Sequence, residues 1–223
     1  MIYEILGHGN NHISMILESL LSTEKYTVIY TDINIISSSL TDDTENKCFG
    51  NIFSTKRFNI KEINYQDWIP NKKSKKIMGG QNKKATFDFF KQNFNIQIDD
   101  YINIIDDKAS ISSSCILRNG CYIGPNASIG PFATISDFGF INRNATVGHH
   151  SKLDKYCTLN PGCNVAGKCI LGESVTVGMG ANVVDHVCIG SHSVIGASSL
   201  VTKSLQSNGV FYGIPAKLIR QSN

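Results

Sequence analysis

The sequence predicts a small α/β domain over residues 1–100, followed by an all-β domain over residues 101–223 built as a parallel β-helix. Three observations carry this reading. From Ile105 to Val201 every sixth residue is Ile, Leu or Val, seventeen positions in succession without an exception. Two residues before each of these anchors, from Ala109 to Ser199, stand small residues almost throughout: Ala, Cys, Gly, Ser and two valines. The first hundred residues lack the period and read as strands alternating with helices, the pattern of a parallel sheet with helical crossovers.

In chain order, residues 2–6 form a short apolar strand, 7–10 a tight turn, and 13–21 a helix with apolar residues at 13, 16, 17, 20 and 21, which share one helical face. A second strand is expected over 26–30, ending at Asp32. Residues 41–46 read as polar loop, 76–78 as a strand running into Gly79 and Gly80, and 85–94 as a helix. A glycine turn between a first strand and a first helix aims backbone N–H groups at the helix N-terminus, where they can hold phosphate. Gly7 and Gly9 are present, but His12 stands where a third glycine completes the motif, so a plain tight turn explains the residues as well. Asp32 sits where such sheets place an acid for a ribose or base; a turn aspartate is the alternative.

In the second domain one short strand and one turn fit in each six-residue repeat. Three repeats of eighteen residues close a triangular coil, and stacked coils bury the anchors along the axis. Seventeen anchors give between five and six coils. Glycines one residue after anchors, at Gly124, Gly130, Gly148, Gly172, Gly178, Gly190 and Gly196, suggest corners with unusual backbone angles. The anchor phase never slips, so no long loop interrupts the coils, and residues eighteen apart stack at about 4.8 Å. His149, Gly167 and Asp185 then form one column; His150, Lys168 and His186 form the next.

Bulk properties exclude several classes. With 223 residues, 41% hydrophobic content and a net charge of +3, the chain reads as an ordinary soluble protein. Its one dense cationic run, at 71–76, reads as a solvated loop rather than a nucleic-acid patch. Nowhere do about eighteen apolar residues run together, and the N-terminus has no basic segment before an apolar core, so neither a membrane span nor secretion is expected. Of the seven cysteines, Cys115, Cys121, Cys157, Cys163 and Cys169 occupy the small-residue register, where a buried thiol packs as a compact hydrophobe; a reducing cytoplasm follows more simply than disulfides.

The period, the segment GVFYGIPAK (209–217), and INRNATVGHH (141–150) followed by NPGCNVAG (160–167) together resemble the left-handed β-helix (hexapeptide-repeat) acyltransferases. Within them the chain is most similar to bacterial sugar acetyltransferases, the group of sialic acid O-acetyltransferases and nucleotide-linked 4-amino-sugar N-acetyltransferases. The resemblance implies left-handed coils, against the right-handed preference of parallel crossovers. It also implies a Rossmann-like nucleotide-sugar domain over residues 1–100, a homotrimer, and acetyl-CoA lying in the groove between adjacent helices.

The resemblance further implies that His149 is the general base, taking a proton from the sugar amine or hydroxyl as it attacks the thioester, a task suited to an imidazole with an ordinary pKa near 6.5. Where the family follows this histidine with Glu or Asp, this chain has His150, a candidate for the catalytic machinery or for a substrate contact. Asp185 lies two coils away, roughly 9–10 Å, too far to replace the missing acid within one chain. Thr158, Gly167, Met179 and Ala197 fall at cofactor-lining positions, Thr158 where some members have a histidine, and Lys217 is placed for the CoA phosphates. Nucleotide-sugar positions correspond to Gly9, Asn10, Asn11, Asp32, Ile33 and Gly80, with Asn10, Asn11 and Ile33 replacing a glycine, a histidine and an acid. No metal is expected.

The function so implied is acetyl-CoA-dependent N-acetylation of a nucleotide-linked amino sugar for surface-polysaccharide synthesis, with O-acetylation of sialic acid or a related sugar as the alternative. Two more distant readings compete. Zinc carbonic anhydrases use the same coil, and His150, His186 and His192 approximate their ligand spacing, yet roughly 9–10 Å within one chain is too wide for nitrogens near 2.1 Å from one metal. An inactive structural β-helix accounts for the departures at Asn10, Asn11, Ile33 and His150.

Overall fold

The computed structural model describes residues 2–7, 10–23, 31–37, 58–80 and 82–222. The chain divides into two compact units, Met1–Ile102 and Asn103–Asn223.

The first unit holds strands β1 (Ile2–Leu6), β2 (Thr31–Ser37), β3 (Phe58–Asn64) and β4 (Lys75–Met78), with helices α1 (Asn10–Thr23) and α2 (Lys83–Phe94). The strands make one parallel sheet in the order β3-β2-β1-β4. Helix α1 buries Ile13, Ile16, Leu17 and Leu20, the apolar face read from the 3–4 spacing. Helix α2 starts where the Asn82 side chain accepts a hydrogen bond from the Ala85 N–H at 3.2 Å, satisfying a donor that the first turn leaves unpaired. It ends at Asn95, in the left-handed region at φ 55°, a conformation asparagine tolerates. Its buried Phe87 and Phe90 face the core, and Trp68 packs edge-on against Phe90 and Phe94 with ring centroids 5.7 and 4.9 Å apart.

Three readings of this unit need correction or fall elsewhere. The second described strand is Thr31–Ser37, with Asp32 opposite Ile2 near its start rather than at its C-terminal end; the expected strand at 26–30 and the loop at 41–46 lie outside the described residues. Strand β3 escapes the pattern because FNIKEIN alternates weakly and carries neither flanking glycine nor a long apolar run. The cationic run at 71–76 is not simply a solvated loop: its last two residues, Lys75 and Lys76, begin β4, and Lys76 is 3% exposed. The Lys76 ammonium pairs with Glu4 at 2.9 Å and donates to the Asn71 carbonyl and the Ser74 hydroxyl at 2.6 and 2.7 Å. The Glu4 carboxylate also accepts from the Trp68 indole N–H at 3.0 Å and from the Ser74 hydroxyl.

The second unit carries seventeen two-residue strands, from Ile104–Ile105 to Leu200–Val201, each ending on an anchor. They stack as three parallel sheets in which every strand pairs with the one eighteen residues away, as Thr146 and Val147 do with Asn164 and Val165. Anchors from Ile123 to Val201 are at most 2% exposed, while Ile105, Ile111 and Leu117 at the first coil are partly buried. Aromatic pairs follow the same repeat: Phe138 over Tyr156 at 5.5 Å and 6°, Tyr122 over Phe140 at 4.6 Å and 20°. Strands Gly209–Tyr212 and Lys217–Gln221 close the end as an antiparallel pair, the first joined to Val194–Ile195.

The corners differ from expectation in one respect. Residues with positive φ stand three places after the anchor, among them Asn126, Phe132, Asn144, His150, Lys168 and His186. Glycines one place after the anchor serve close approach instead: a Cβ on Gly148 would stand 2.4 Å from the Ala166 carbonyl carbon, and one on Gly178 2.6 Å from the Ala197 nitrogen.

Cys121, Cys157, Cys163 and Cys169 are buried. Burial pushes the Cys163 thiol up to about 12 and raises Cys169, which the Asp185 carboxylate raises further. Cys188 is exposed, on the outward face of its strand.

Two outcomes follow. Lys76→Met leaves Glu4 as an uncompensated buried charge and lowers unfolding free energy by about 3–5 kcal/mol, measured by urea denaturation followed by tryptophan fluorescence. At pH 9, where a thiol with the ordinary value of 9.0 is half ionised, Cys163 stays protonated and sheltered. Peptide mapping after maleimide treatment therefore finds Cys188 modified in the folded protein and Cys163 modified only after denaturation.

Candidate active site

The corner after Val147 brings two imidazoles together. His149 and His150 are the central residues of a turn closed by the Ser151 N–H donating to the Gly148 carbonyl at 3.4 Å. Backbone bonds pin the corner from both sides: the His150 N–H donates to Pro131 on the preceding coil at 2.9 Å, and the Lys168 N–H on the next coil donates to the His149 carbonyl at 2.8 Å. Both side chains are exposed, with His149 Nδ1 3.0 Å from His150 Nδ1 and the rings edge-on at 87°. The His150 ring leans on Phe132 one coil earlier, centroids 4.9 Å apart.

The column drawn from the sequence is present in part. A Cβ on Gly167 would stand 2.6 Å from His149 Nε2 and 2.9 Å from its Cε1, so the imidazole lies across Gly167, and only a residue without a side chain leaves it that place. Asp185, next in the column, is exposed and lies 3.7 Å from the His186 ring. A neutral imidazole held with one nitrogen fixed and the other at the open face can accept a proton from a nucleophile.

The remaining cofactor-lining candidates lie elsewhere on the coil. Met179 and Ala197 share a different corner column, linked where the Ser198 N–H donates to the Met179 carbonyl at 2.8 Å, and both are exposed. Thr158 begins the strand Thr158–Leu159, between Phe140 and Thr176. Lys217 is exposed at the start of the last strand, beside a cavity of about 340 Å³ also lined by Lys203, Gln206 and Phe211. Between the His149 corner and the Met179 corner runs the sheet carrying Thr146, Asn164 and Asn182 on its outer face. The Thr146 hydroxyl donates to Asn164 Oδ1 and the Asn164 amide to Asn182 Oδ1, each at 3.0 Å. Sequence reading passed over this amide ladder, although its signal was available: polar residues one place before the anchor at an eighteen-residue repeat.

In the first unit, Gly7 (φ 97°), Gly79 and Gly80 meet beyond the C-terminal ends of β1 and β4. A Cβ on Gly7 would stand 2.9 Å from the Gly80 nitrogen, and one on Gly80 2.1 Å from the Thr86 hydroxyl oxygen in α2; Thr86 was not singled out from the sequence. Helix α1 opens at Asn10 and Asn11, at the same sheet edge. Asp32 and Ile33 pair with Ile2 and Tyr3 at the opposite edge, about 13 Å from the Leu6 level at 3.3 Å per residue. The structure therefore does not bring Asp32 and Ile33 to the glycine turn; Gly9 lies outside the described residues. Among the described residues, no three His, Cys, Asp or Glu side chains gather as a metal site, and no helix is long and apolar enough to cross a membrane.

Replacing Gly167 with Ala forces the His149 ring off its shelf while leaving the coil intact. The measurement is a crystal structure of the variant: a displaced His149 is expected, and a ring superimposable on the wild type refutes the contact.

No protein-family model matches the chain, and neither does any curated protein. Solved structures do. A mutant of perosamine N-acetyltransferase from Caulobacter crescentus, in complex with CoA and GDP-perosamine, aligns over 99% of this chain and 97% of that one, with TM-score 0.76 and 20% identity. The acetyltransferase domain of PglB from Neisseria gonorrhoeae, in complex with acetyl coenzyme A, aligns over 98% of each chain with TM-score 0.77 and 17% identity. WeeI from Acinetobacter baumannii aligns over 98% and 99%, with TM-score 0.74 and 17% identity. At these identities the likeness establishes a shared fold from end to end, β-helix included.

Proposed function

We propose that this chain is an acetyl-CoA-dependent N-acetyltransferase acting on a nucleotide-linked amino sugar, with His149 as general base. The observation that carries the reading is the end-to-end likeness to a structure holding CoA and GDP-perosamine, in a chain whose exposed His149 presents Nε2 over a glycine. In this reading the sugar nitrogen attacks the thioester carbonyl, His149 Nε2 takes the nitrogen's proton, and that proton leaves with the CoA thiolate as the tetrahedral intermediate collapses. A neutral imidazole accepts a proton from an amine or a hydroxyl alike, so O-acetylation tests the acceptor rather than the machinery.

The finer parts of the proposal rest on the same resemblance. The coils wind left-handed, three chains assemble, and acetyl-CoA lies along the face between the His149 and Met179 corners. There Gly167, Met179 and Ala197 line its arm, Thr158 stands near its edge, and Lys217 meets its phosphates. The two domains, residues 1–100 and 101–223, divide the labour, and the enzyme works in the cytoplasm. The first is read as Rossmann-like, supported by its parallel β3-β2-β1-β4 order, with the nucleotide at the edge where Asn10, Asn11 and Gly80 lie; Gly9, proposed to contact it as well, is outside the described residues. Asp32 and Ile33 drop out of that site on position.

The test is thiol release from acetyl-CoA against a panel of nucleotide amino sugars and free sialic acids. An amino-sugar-dependent rate is expected, and His149→Ala lowers turnover by about 10²-fold or more. No acceleration by any sugar overturns the proposal.

A further inference from the structure

The histidine pair at the corner is an arrangement in which one imidazole sets the tautomer of the other. Each neutral imidazole carries one N–H and one bare nitrogen. With Nδ1 facing Nδ1 at 3.0 Å, one proton must stand between them: two bare nitrogens repel, and two N–H groups cannot share the gap. If His150 donates, His149 carries its own proton on Nε2 and offers no base. If His149 donates, its Nε2 is bare, and that is the nitrogen lying over Gly167 at the open face.

We propose that His150 is a positioning residue: its Nδ1 accepts the His149 Nδ1–H and so leaves Nε2 free as the base. The geometry gives His150 little choice of place. Its backbone sits at φ 59° and its N–H is bonded to Pro131, while Phe132 backs its ring. When Nε2 takes a proton, His149 becomes an imidazolium and its Nδ1–H···N bond turns charge-assisted, hence stronger. A proton taken up from acid solution at Nε2 likewise removes the base while the Nδ1–H···N contact holds; only a further proton, on His150 Nδ1, sets N–H against N–H and breaks it. By register, the residues next to the corner are uncharged Pro131 and Phe132 on the preceding coil, Lys168 in the His150 column on the next coil, Lys152 on the following strand, and Asp185 with His186 one coil beyond Lys168.

The inference rests on the acetyl-transfer reading for its kinetic test but not for its spectroscopic one. His150→Phe is the central variant, because Phe132 already holds the equivalent position one coil earlier at φ 58°. Long-range proton–nitrogen NMR is expected to show His149 protonated on Nδ1 in the wild type and on Nε2 in His150→Phe. Turnover of His150→Phe falls at least about tenfold with KM for acetyl-CoA unchanged. His150→Glu supplies an anionic acceptor, restores turnover, and moves the acid limb of the pH–rate profile upward, since a carboxylate favours the imidazolium. An unaltered His149 tautomer in His150→Phe, or turnover and an acid limb equal to wild type, overturns the inference. If the wild type transfers no acetyl group to any sugar, the function reading fails and the tautomer comparison alone decides the pairing.

Discussion

Every feature of the second unit depends on one backbone ladder, the hydrogen bonding of each two-residue strand to the strand eighteen residues away. Strands this short cannot persist alone. Their stability comes from being stacked, with anchors at most 2% exposed from Ile123 to Val201 and with corner N–H and carbonyl groups bonded coil to coil, as His150 is to Pro131 and Lys168 to His149. The ladder fixes register, and a fixed register turns sequence spacing into spatial neighbourhood. The imidazole of His149 meets Gly167 because eighteen residues separate them.

That dependence explains why this half of the fold was legible. A period that never slips constrains sheet, core and corner at once, so anchors, small residues and columns could be written down from the chain. The role of the glycines could not. Gly148 and Gly178 are needed because a neighbouring coil passes too close for a Cβ, whereas the strained angle falls two residues later, often on a bulky side chain such as Phe132, His150 or Tyr156. Spacing reports where a residue sits; which backbone angle each corner position adopts is decided by the path of the turn.

The first unit was less legible, for a physical reason. Its strands carry no repeat, and the buried face of β1 includes Glu4, whose charge is tolerated only because Lys76, Trp68 and Ser74 converge on it from elsewhere in the chain. Such compensation is non-local, so the lysine-rich run read as solvated. Likewise Asp32 read as a strand end because 26–30 looks apolar, while sheet register sets it opposite Ile2. At the candidate site, the stacking of His149 on Gly167 was legible from the eighteen-residue spacing. The contact between His149 and His150 was not, because adjacency in sequence does not say which ring nitrogens face each other.

The stacking also makes the scaffold granular. A functional group can be shifted along the axis only by whole coils, in steps of about 4.8 Å, because any smaller move breaks the ladder above and below. Reacting atoms must be placed more finely than that. Fine adjustment is left to side-chain rotation at a corner, and in the proposed reading the crossed rings of His149 and His150, propped on Phe132 and resting on Gly167, act as the vernier on an otherwise coarse ruler.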